Sequence, residues 1–254
     1  MVRGLVTALR TLTTLPVPGR DAERFSDSLY WFPLAGLVIG TLEALLARVG
    51  VLAGWFEMAA LLALGGGILL TRGLHADGLA DLADGFFGGR NREAALRIMK
   101  DPNVGSFGSL ALILVMLFKF VCLLELVRYQ AFGTLTAGVL LARTGQVLLA
   151  SSLPYARAEG GTATAFVEGA GWPHLLVALV SAFLFLLYPV GFEWPRALFL
   201  MASAIASTLG LALLSRRKIG GVTGDVLGAG SELTEAFVWF MAVLSLRFPF
   251  LSPM

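Results

Sequence analysis

Long apolar segments separated by polar ones dominate this chain. Each apolar segment is long enough to cross about 30 Å of hydrocarbon as a helix. The predicted spans are residues 29–49, 51–71, 109–128, 131–153, 173–191, 196–214 and 235–251. No internal repeat or soluble domain boundary interrupts them, so we expect one membrane-embedded domain over residues 1–254. The pattern predicts an all-α fold, a polytopic integral membrane helix bundle with about seven transmembrane helices.

The first residues predict one more helix, which is amphipathic. Apolar side chains recur at helical spacing from Val2 to Leu12, whereas Arg3 and Arg10 lie off that stripe, and Pro16 ends the pattern. Such a helix either lies on the inner leaflet of the membrane or packs against the bundle. The pattern leaves both placements open.

Composition supports a membrane protein, and the charge distribution orients it. Only 14% of the residues are charged and 57% are hydrophobic, whereas an ordinary soluble domain is about a quarter charged. Lys and Arg are concentrated near the N-terminus and in two polar segments, residues 72–108 and 215–234. Because cytoplasmic loops are enriched in these residues, we predict that the N-terminus and both segments face the cytoplasm. The chain would then be integral to the plasma or inner membrane of the cell.

The charge distribution also limits the partners. A net charge of +2, with the basic residues beside the membrane ends, argues against a nucleic-acid partner. The lipid bilayer is the expected surrounding of the chain, and its oligomeric state stays open.

The segment 72–108 carries a concentration of carboxylates. Asp77, Asp81 and Asp84 are spaced i, i+4, i+7, which on a helix places them in a stripe about 60° wide. Neighbouring carboxylates on this stripe repel each other by about 3 kcal/mol at an effective dielectric constant of about 20, unless a cation lies between them. With Asp101 after a turn, this all-oxygen set predicts one or two Mg²⁺ ions, with Mn²⁺ as the alternative. The competing interpretation is a solvated, charge-mixed hairpin, which we disfavour because no Lys or Arg stands between the three aspartates.

The same segment predicts local structure and a substrate that carries phosphate. The second predicted span would continue into the aspartates, and Asn91 would cap a short helix over residues 92–100. Four basic residues, Arg90, Arg92, Arg97 and Lys100, would suit a polyanion such as a diphosphate. Gly85 would let a phosphate approach the backbone between the carboxylates.

Two charged side chains fall in the middle of predicted spans. A charge at mid-membrane costs at least about 2.5 to 3.5 kcal/mol and usually faces a polar cavity or a partner. For Arg143, a phosphate-binding role and a structural ion pair stay equally open. Lys119 favours an ion pair, and Glu43 would suit either residue as a partner.

The segment 215–234, which like 72–108 is predicted to be a cytoplasmic catalytic loop, combines several glycines with acidic residues. Backbone amides freed by glycines, Gly224 among them, can cradle phosphate. Asp225 is a candidate catalytic base or an additional metal ligand. Its predicted position on the same side of the membrane as residues 72–108 favours a shared site.

Three stretches closely resemble the cobalamin synthase family: HADGLADLADGFFGG, IMKDPNVGSFG and VTGDVLGAGSELTE. The stretches TALRTLTTLPVPG and ARTGQVLLASSLPYARAEGG are also similar, so the resemblance covers nearly the whole chain. The piece DLADG is in addition similar to the opening DxxDG of the CDP-alcohol phosphotransferases, but residues 86–90 depart from the pattern of that family.

The resemblance to the cobalamin synthase family implies a late step of vitamin B12 biosynthesis that depends on Mg²⁺. In that reaction the adenosylcobinamide-phosphate group passes from adenosylcobinamide-GDP to α-ribazole or α-ribazole 5′-phosphate. GMP is released, and adenosylcobalamin or its 5′-phosphate forms. The hypothesis assigns the metal to Asp77, Asp81, Asp84 and Asp101. It assigns the phosphates and the leaving GMP to Lys100, Arg90 and either Arg143 or Arg157, and the ribose proton to Asp225 or Asp101.

Two other classes of protein remain as alternatives. A prenyltransferase-like or lipid head-group transferase also places aspartates at the cytoplasmic ends of spans, but two aspartate-rich motifs would then be expected, and the second polar segment offers Asp225 alone. A transporter would use Glu43, Lys119 and Arg143 as its pathway. Most charges of this chain lie in loops instead.

Overall fold

The computed structural model describes residues 2–248, and in this range the regular secondary structure is helical, as predicted. The helices are α1 Val2–Leu12, α2 Phe32–Leu52, α3 Phe56–Leu70, α4 Leu74–Gly88, α5 Arg92–Ile98, α6 Ser106–Arg128, α7 Phe132–Ser152, α8 Thr164–Val167, α9 Trp172–Leu187, α10 Trp194–Ile219 and α11 Gly224–Arg247. A 3-10 helix, Phe25–Trp31, runs directly into α2.

Five helical units within residues 2–248 are long and apolar enough to cross a membrane: Phe25–Leu52, α6, α7, α10 and α11. Helices α3 and α4 pass the same test only as a pair bent by 85°, and α9 is a shorter apolar helix of 16 residues. The predicted count of seven spans is therefore not confirmed. The predicted spans 51–71 and 173–191 correspond to helices α3 and α9, which are too short to meet the test alone. The last predicted span begins earlier than expected, and its residues 249–251 lie outside the described range.

The bend between α3 and α4 has a local backbone cause. Arg72 and Gly73 both adopt left-handed conformations, with φ of 54° and 66°. The Gly73 N–H donates to the Ile68 carbonyl at 2.8 Å. Many helices end in this way, because a left-handed residue turns the chain and satisfies a free carbonyl. The second predicted span consequently does not continue straight into the aspartate segment.

Helix α7 lies at the centre of the bundle. Every residue from Thr134 to Ala150 is buried. Small residues let neighbouring helices approach closely, as is usual between membrane helices. A Cβ added at Gly36 or Gly40 of α2 would lie 2.8 Å from the backbone of α7, and Gly138 of α7 makes room for the indole of Trp239 on α11.

The polar segment 72–108 contains α4 and α5. The side chain of Asn91 accepts a hydrogen bond from the Ala94 N–H at 2.9 Å. This is the usual geometry of a helix N-cap. The predicted short helix and its cap are confirmed, and α5 packs across the end of α4.

The prediction of a loop over residues 215–234 is wrong. Helix α10 continues to Ile219, and α11 begins at Gly224. The side chain of Thr223 accepts a hydrogen bond from the backbone N–H three residues further on, at 3.3 Å, and so caps the start of α11. Glycines weaken an isolated helix, which made this stretch look irregular, but here they permit close packing against α4.

The N-terminal amphipathic helix α1 packs on the bundle, which is one of the two placements left open. Its residues Thr7 and Leu12 are buried. The Thr7 hydroxyl accepts a hydrogen bond from the Ala22 N–H at 2.8 Å. Just after α1, the Thr14 N–H donates to the Leu70 carbonyl at 2.7 Å. The second of these contacts holds the end of α1 close to the end of α3.

Candidate active site

Glycines bring the acidic helix α4 against the start of α11. A Cβ added at Gly78 would lie 2.9 Å from the carbonyl oxygen of Asp225 and 3.3 Å from the Cα of Gly228. The first distance leaves no room for a side chain, so the two backbones touch directly. This contact places Asp77 and Asp81 of α4 beside Asp225 at one end of the bundle.

A cavity of about 860 Å³ lies beside this contact. Its wall includes the polar groups of Asp77, Gly224 and Asp225 together with apolar side chains such as Leu12 and Phe166. Ligand pockets typically measure about 300 to 1,000 Å³ and combine apolar walls with a few polar groups. The cavity gives a large ligand access to the carboxylates of Asp77 and Asp225.

Three aspartates act on one another at this end of the bundle, and one of them comes from α11. The carboxylate of Asp81 is repelled by those of Asp225 and Asp77, and Arg157 opposes this repulsion. Asp77 is exposed and Asp81 is half-buried. The resulting group combines both of the polar segments that the sequence placed on one side of the membrane.

Asp84 caps the next helix instead of facing the cavity. Its two carboxylate oxygens accept hydrogen bonds from the backbone N–H groups of Gly105 at 2.7 Å and Gly108 at 2.9 Å. Free N–H groups at a helix start favour a negative charge. Asp84 does share α4 with the other two aspartates, but the N-terminus of α6 already engages both of its oxygens.

The carboxylates fit a metal ion that is held partly by the protein and partly by the substrate better than one held by protein ligands alone. Over residues 2–248, no group of three or more His, Cys, Asp or Glu side chains is arranged to hold a metal ion. Mg²⁺, however, is usually bound by one or two carboxylates, with waters and substrate phosphates as the remaining ligands. The accessible oxygens of Asp77 and Asp81 are donors of that kind.

Asp225 forms an ion pair with Arg157 at 2.9 Å, and their side chains are 20% and 10% exposed. The Thr223 hydroxyl also donates to Asp225, at 3.2 Å. Arg157 makes a longer hydrogen bond to the Met99 carbonyl, at 3.4 Å. Arg157 therefore links α11 to the end of α5 and sets a positive charge beside the three aspartates.

Lys100 and Asp101 lie on the exposed surface after α5. Asp101 accepts hydrogen bonds from the backbone N–H and the side-chain amide of Asn103, at 2.9 and 2.8 Å. These bonds, the backbone one first, lower the pKa of the Asp101 carboxyl. Lys100 forms an ion pair with Glu159. Among the interactions of the described residues, none joins Asp101 to the other aspartates, so the structure does not bring it into their group.

The other predicted phosphate contacts differ in accessibility. Arg90 is exposed, and Gly224 lines the cavity. Gly85 is buried against α5, where an added Cβ would lie 2.3 Å from Met99 Cγ and 2.9 Å from the Ala95 carbonyl oxygen. Met99 thus fills the space beside Gly85 that was predicted to admit a phosphate, and Gly85 serves helix packing.

Arg143 and Lys119 belong to a buried ionic network inside the bundle. Lys119 Nζ lies 2.6 Å from carboxylate oxygens of both Glu232 and Glu235. Arg143 lies 3.2 Å from Glu235. The predicted ion pair of Lys119 is confirmed, and Arg143 adopts the structural alternative. Glu43 lines the same small cavity but forms no ion pair within residues 2–248.

The supporting contacts of two residues were not predicted, and one of them, Arg92, was expected to suit a polyanion. Arg92 donates to the carbonyls of Ile219 at 2.8 Å and Ala156 at 2.9 Å, which ties α5 to the end of α10 and to the segment after α7. Thr223 caps α11 and also donates to Asp225. The preference of threonine for N-cap positions would have indicated Thr223. No local pattern indicates the distant carbonyl partners of Arg92.

The membrane-length helices define a polytopic helical membrane protein, and the carboxylates and the arginine beside a large cavity form its candidate site. A profile of the family described as cobalamin-5-phosphate synthase matches residues 4–243, and the chain belongs to this family.

Several relatives match over almost their whole length. The adenosylcobinamide-GDP ribazoletransferases of Chlorobaculum parvum and Chlorobaculum tepidum are 68% and 66% identical over 247 residues, which cover 97% of this chain and 97% of each relative. That of Syntrophobacter fumaroxidans is 42% identical over 238 residues, covering 91% of this chain and 89% of the relative. No solved structure matches the chain. The matches favour this family over the lipid head-group transferase, prenyltransferase and transporter alternatives.

Proposed function

We propose that the chain transfers the adenosylcobinamide-phosphate group of adenosylcobinamide-GDP to α-ribazole or α-ribazole 5′-phosphate. The products are GMP and adenosylcobalamin or its 5′-phosphate. Near-full-length similarity to relatives named for this reaction carries the proposal. The acidic group beside a cavity of about 860 Å³ supports it, because the reaction cleaves the diphosphate of a large donor and joins the remaining phosphate to a second substrate.

Asp77 and Asp81 are the residues that we propose would hold Mg²⁺ beside the diphosphate of the donor. The bound ion would polarise the phosphoryl group and balance the charge of the donor. Asp84 and Asp101 would join the metal only after giving up the hydrogen bonds that they make to the start of α6 and to Asn103.

Asp225 is the proposed base that accepts the proton of the attacking ribose hydroxyl. It lines the cavity, whereas Asp101 is exposed and its lowered pKa makes it a weaker base. Arg157 orients Asp225 and offers positive charge to the phosphate of the leaving GMP. The N-terminus of α11 at Gly224 provides a further phosphate contact.

Arg90 and Lys100 are proposed to attract the nucleotide to this end of the bundle. Both are exposed, and Lys100 directly follows Met99, whose carbonyl accepts a hydrogen bond from Arg157. We place this end in the cytoplasm, at the plasma or inner membrane, because Lys and Arg are concentrated there. Nucleotides and Mg²⁺ are available on that side.

A GMP-release assay tests the proposal. Detergent-purified protein supplied with adenosylcobinamide-GDP, α-ribazole 5′-phosphate and Mg²⁺ should release GMP, and removal of the metal by a chelator should stop the release reversibly. Asp81→Asn should lower the rate by about 10²- to 10³-fold, because the loss of a metal ligand weakens the charge stabilisation. Asp101→Asn, the matched control, should change the rate by less than about fivefold.

Two results would contradict these assignments. If the wild-type protein released no GMP with both substrates present, the proposed reaction would be ruled out. Full activity of Asp81→Asn, with GMP release by the wild type intact, would leave the reaction in place and remove the metal site.

A further inference from the structure

A second large cavity, of about 590 Å³, lies at the end of α7. It borders the segment that joins α7 to α9, and the first cavity borders the same segment through Thr162, Ala163 and Phe166. Polar side chains are prominent in the wall of the second cavity: Ser151, Ser152, Tyr155, Arg157 and Glu168. Its volume is also that of a typical ligand pocket.

The ion pair of Arg157 and Asp225 joins the two cavities. Arg157 lines the second cavity, Asp225 lines the first, and the two side chains meet at 2.9 Å. A phosphate bound at Arg157 would therefore lie at the boundary between the cavities. A transfer reaction between two large molecules needs such an arrangement, with one substrate part on each side of the phosphorus that reacts.

Several polar atoms of the second cavity are not used by the fold. The Ser151 hydroxyl, the Tyr155 hydroxyl and Arg157 Nε are buried and have no hydrogen-bond partner within the described chain. Glu168 is exposed and forms no ion pair in residues 2–248. Buried polar groups normally find partners. Donors and acceptors are thus available here to a polar ligand.

We propose that this second cavity binds the guanosine part of the donor, with its phosphate at Arg157. This inference rests on the proposed function, and it adds the place where the leaving nucleotide is recognised. Guanine presents an N–H and an amino group side by side, which suit a carboxylate such as that of Glu168. The benzimidazole of α-ribazole has no N–H donor, so the apolar wall of the first cavity suits the acceptor and the cobinamide better.

Equilibrium binding of nucleotides to the full-length protein tests the base contact. The wild type should bind GMP about tenfold more tightly than IMP, which lacks the amino group, and more tightly than AMP. Glu168→Gln should weaken GMP binding about tenfold and bring GMP and IMP to similar affinities. Glu93→Gln removes the same charge from the exposed surface of α5, away from both cavities, and should bind GMP and IMP as the wild type does.

Two substitutions of alanine by tryptophan test whether the ligand occupies the volume of the second cavity. Ala158 lines it, whereas Ala165 is exposed in the same segment and borders neither cavity. Ala158→Trp should weaken GMP binding more than tenfold and leave the binding of α-ribazole 5′-phosphate within about twofold. Ala165→Trp should leave both unchanged, which controls for the insertion of an indole into this segment.

The outcomes separate this inference from the proposed function. GMP binding that is unaffected by both Glu168→Gln and Ala158→Trp, in protein that still releases GMP, would overturn the guanosine site and leave the reaction standing. Weaker binding of α-ribazole 5′-phosphate with unchanged GMP binding would assign the cavity to the acceptor and equally overturn the inference. Absence of GMP release in the wild type, with GMP binding sensitive to Glu168, would instead reject the reaction and keep the nucleotide site.

Discussion

Two groups of charged side chains share helix α11 and differ in their access to ligands. Asp225, in the first turn, pairs with Arg157 at 2.9 Å beside a cavity of about 860 Å³. Glu232 and Glu235 lie about two to three turns further along. They pair with Lys119 inside the bundle, where these three side chains are at most 9% exposed.

Accessible volume, more than charge, distinguishes the proposed reaction site from the buried ion cluster. The cavity within the buried cluster measures about 10 Å³, close to the minimum that one water molecule requires. A phosphate has no room beside Arg143, so that arginine neutralises Glu235 instead. A buried ion pair of this kind is costly to break, because one charge is then left without a partner.

The largest expected effect comes from the accessible pair. Asp225→Asn should slow GMP release by about 10²- to 10⁴-fold, because the proposed proton acceptor is lost. Arg157→Met should also slow release, and the double variant should be no slower than the slower single variant, because the two residues act together. Thermal unfolding, measured in parallel, should change little.

If the two residues acted independently, the fold-loss in rate of the double variant would equal the product of the two single fold-losses. That result would contradict a joint role of the pair. Loss of folded protein in Asp225→Asn would instead show that this pair stabilises the fold, as the buried cluster does.

A smaller effect, on stability and not on rate, is expected from the buried cluster. Lys119→Met should lower the free energy of unfolding by about 3 to 5 kcal/mol, because Glu232 and Glu235 lose a buried cation. Adding Glu232→Gln should recover part of the loss. Unfolding in detergent, followed by circular dichroism, measures both variants.

GMP release per folded molecule should stay near the wild-type rate in Lys119→Met. A folded variant of normal stability that no longer releases GMP would show that the cluster takes part in the reaction.

The smallest effect is expected where a pair is both exposed and outside the cavities. Lys100→Met removes the ion pair with Glu159 on the surface and should change GMP release by less than about fivefold, because water and salt screen such pairs. Steady-state rates at low and high salt provide the measurement. If Lys100→Met slowed GMP release nearly as much as Asp225→Asn does, Lys100 would be a catalytic residue after all.

Local patterns predicted those features that depend on neighbours along the chain. The cap at Asn91 and the helical segment of Asp77 and Asp81 follow from spacing within a few residues. Contacts between residues that are distant in the sequence could not be predicted from these local patterns. Helical periodicity placed Asp84 with the other aspartates, but the backbone N–H groups that engage it come from residues 21 and 24 positions later.

The partners of the buried charges show the same limit over a longer distance. Glu232 lies 113 positions from Lys119, and the glycine-rich stretch before it resembled a loop. The sequence indicates that a charge in the middle of a membrane span needs a partner. The packing of the helices decides which carboxylate lies close enough to that charge to pair with it. For the same reason Glu43, the predicted partner, adjoins the cluster without an ion pair within residues 2–248.

At Gly78 the main chain of α4 meets the main chain of Asp225 with no side chain between them. Most helix contacts can vary during evolution in either direction, because a larger residue on one side can be compensated by a smaller one on the other. Here one partner is already glycine and the other contributes only backbone. A substitution at Gly78 can therefore move the two halves of the proposed reaction centre apart, but it cannot bring them closer.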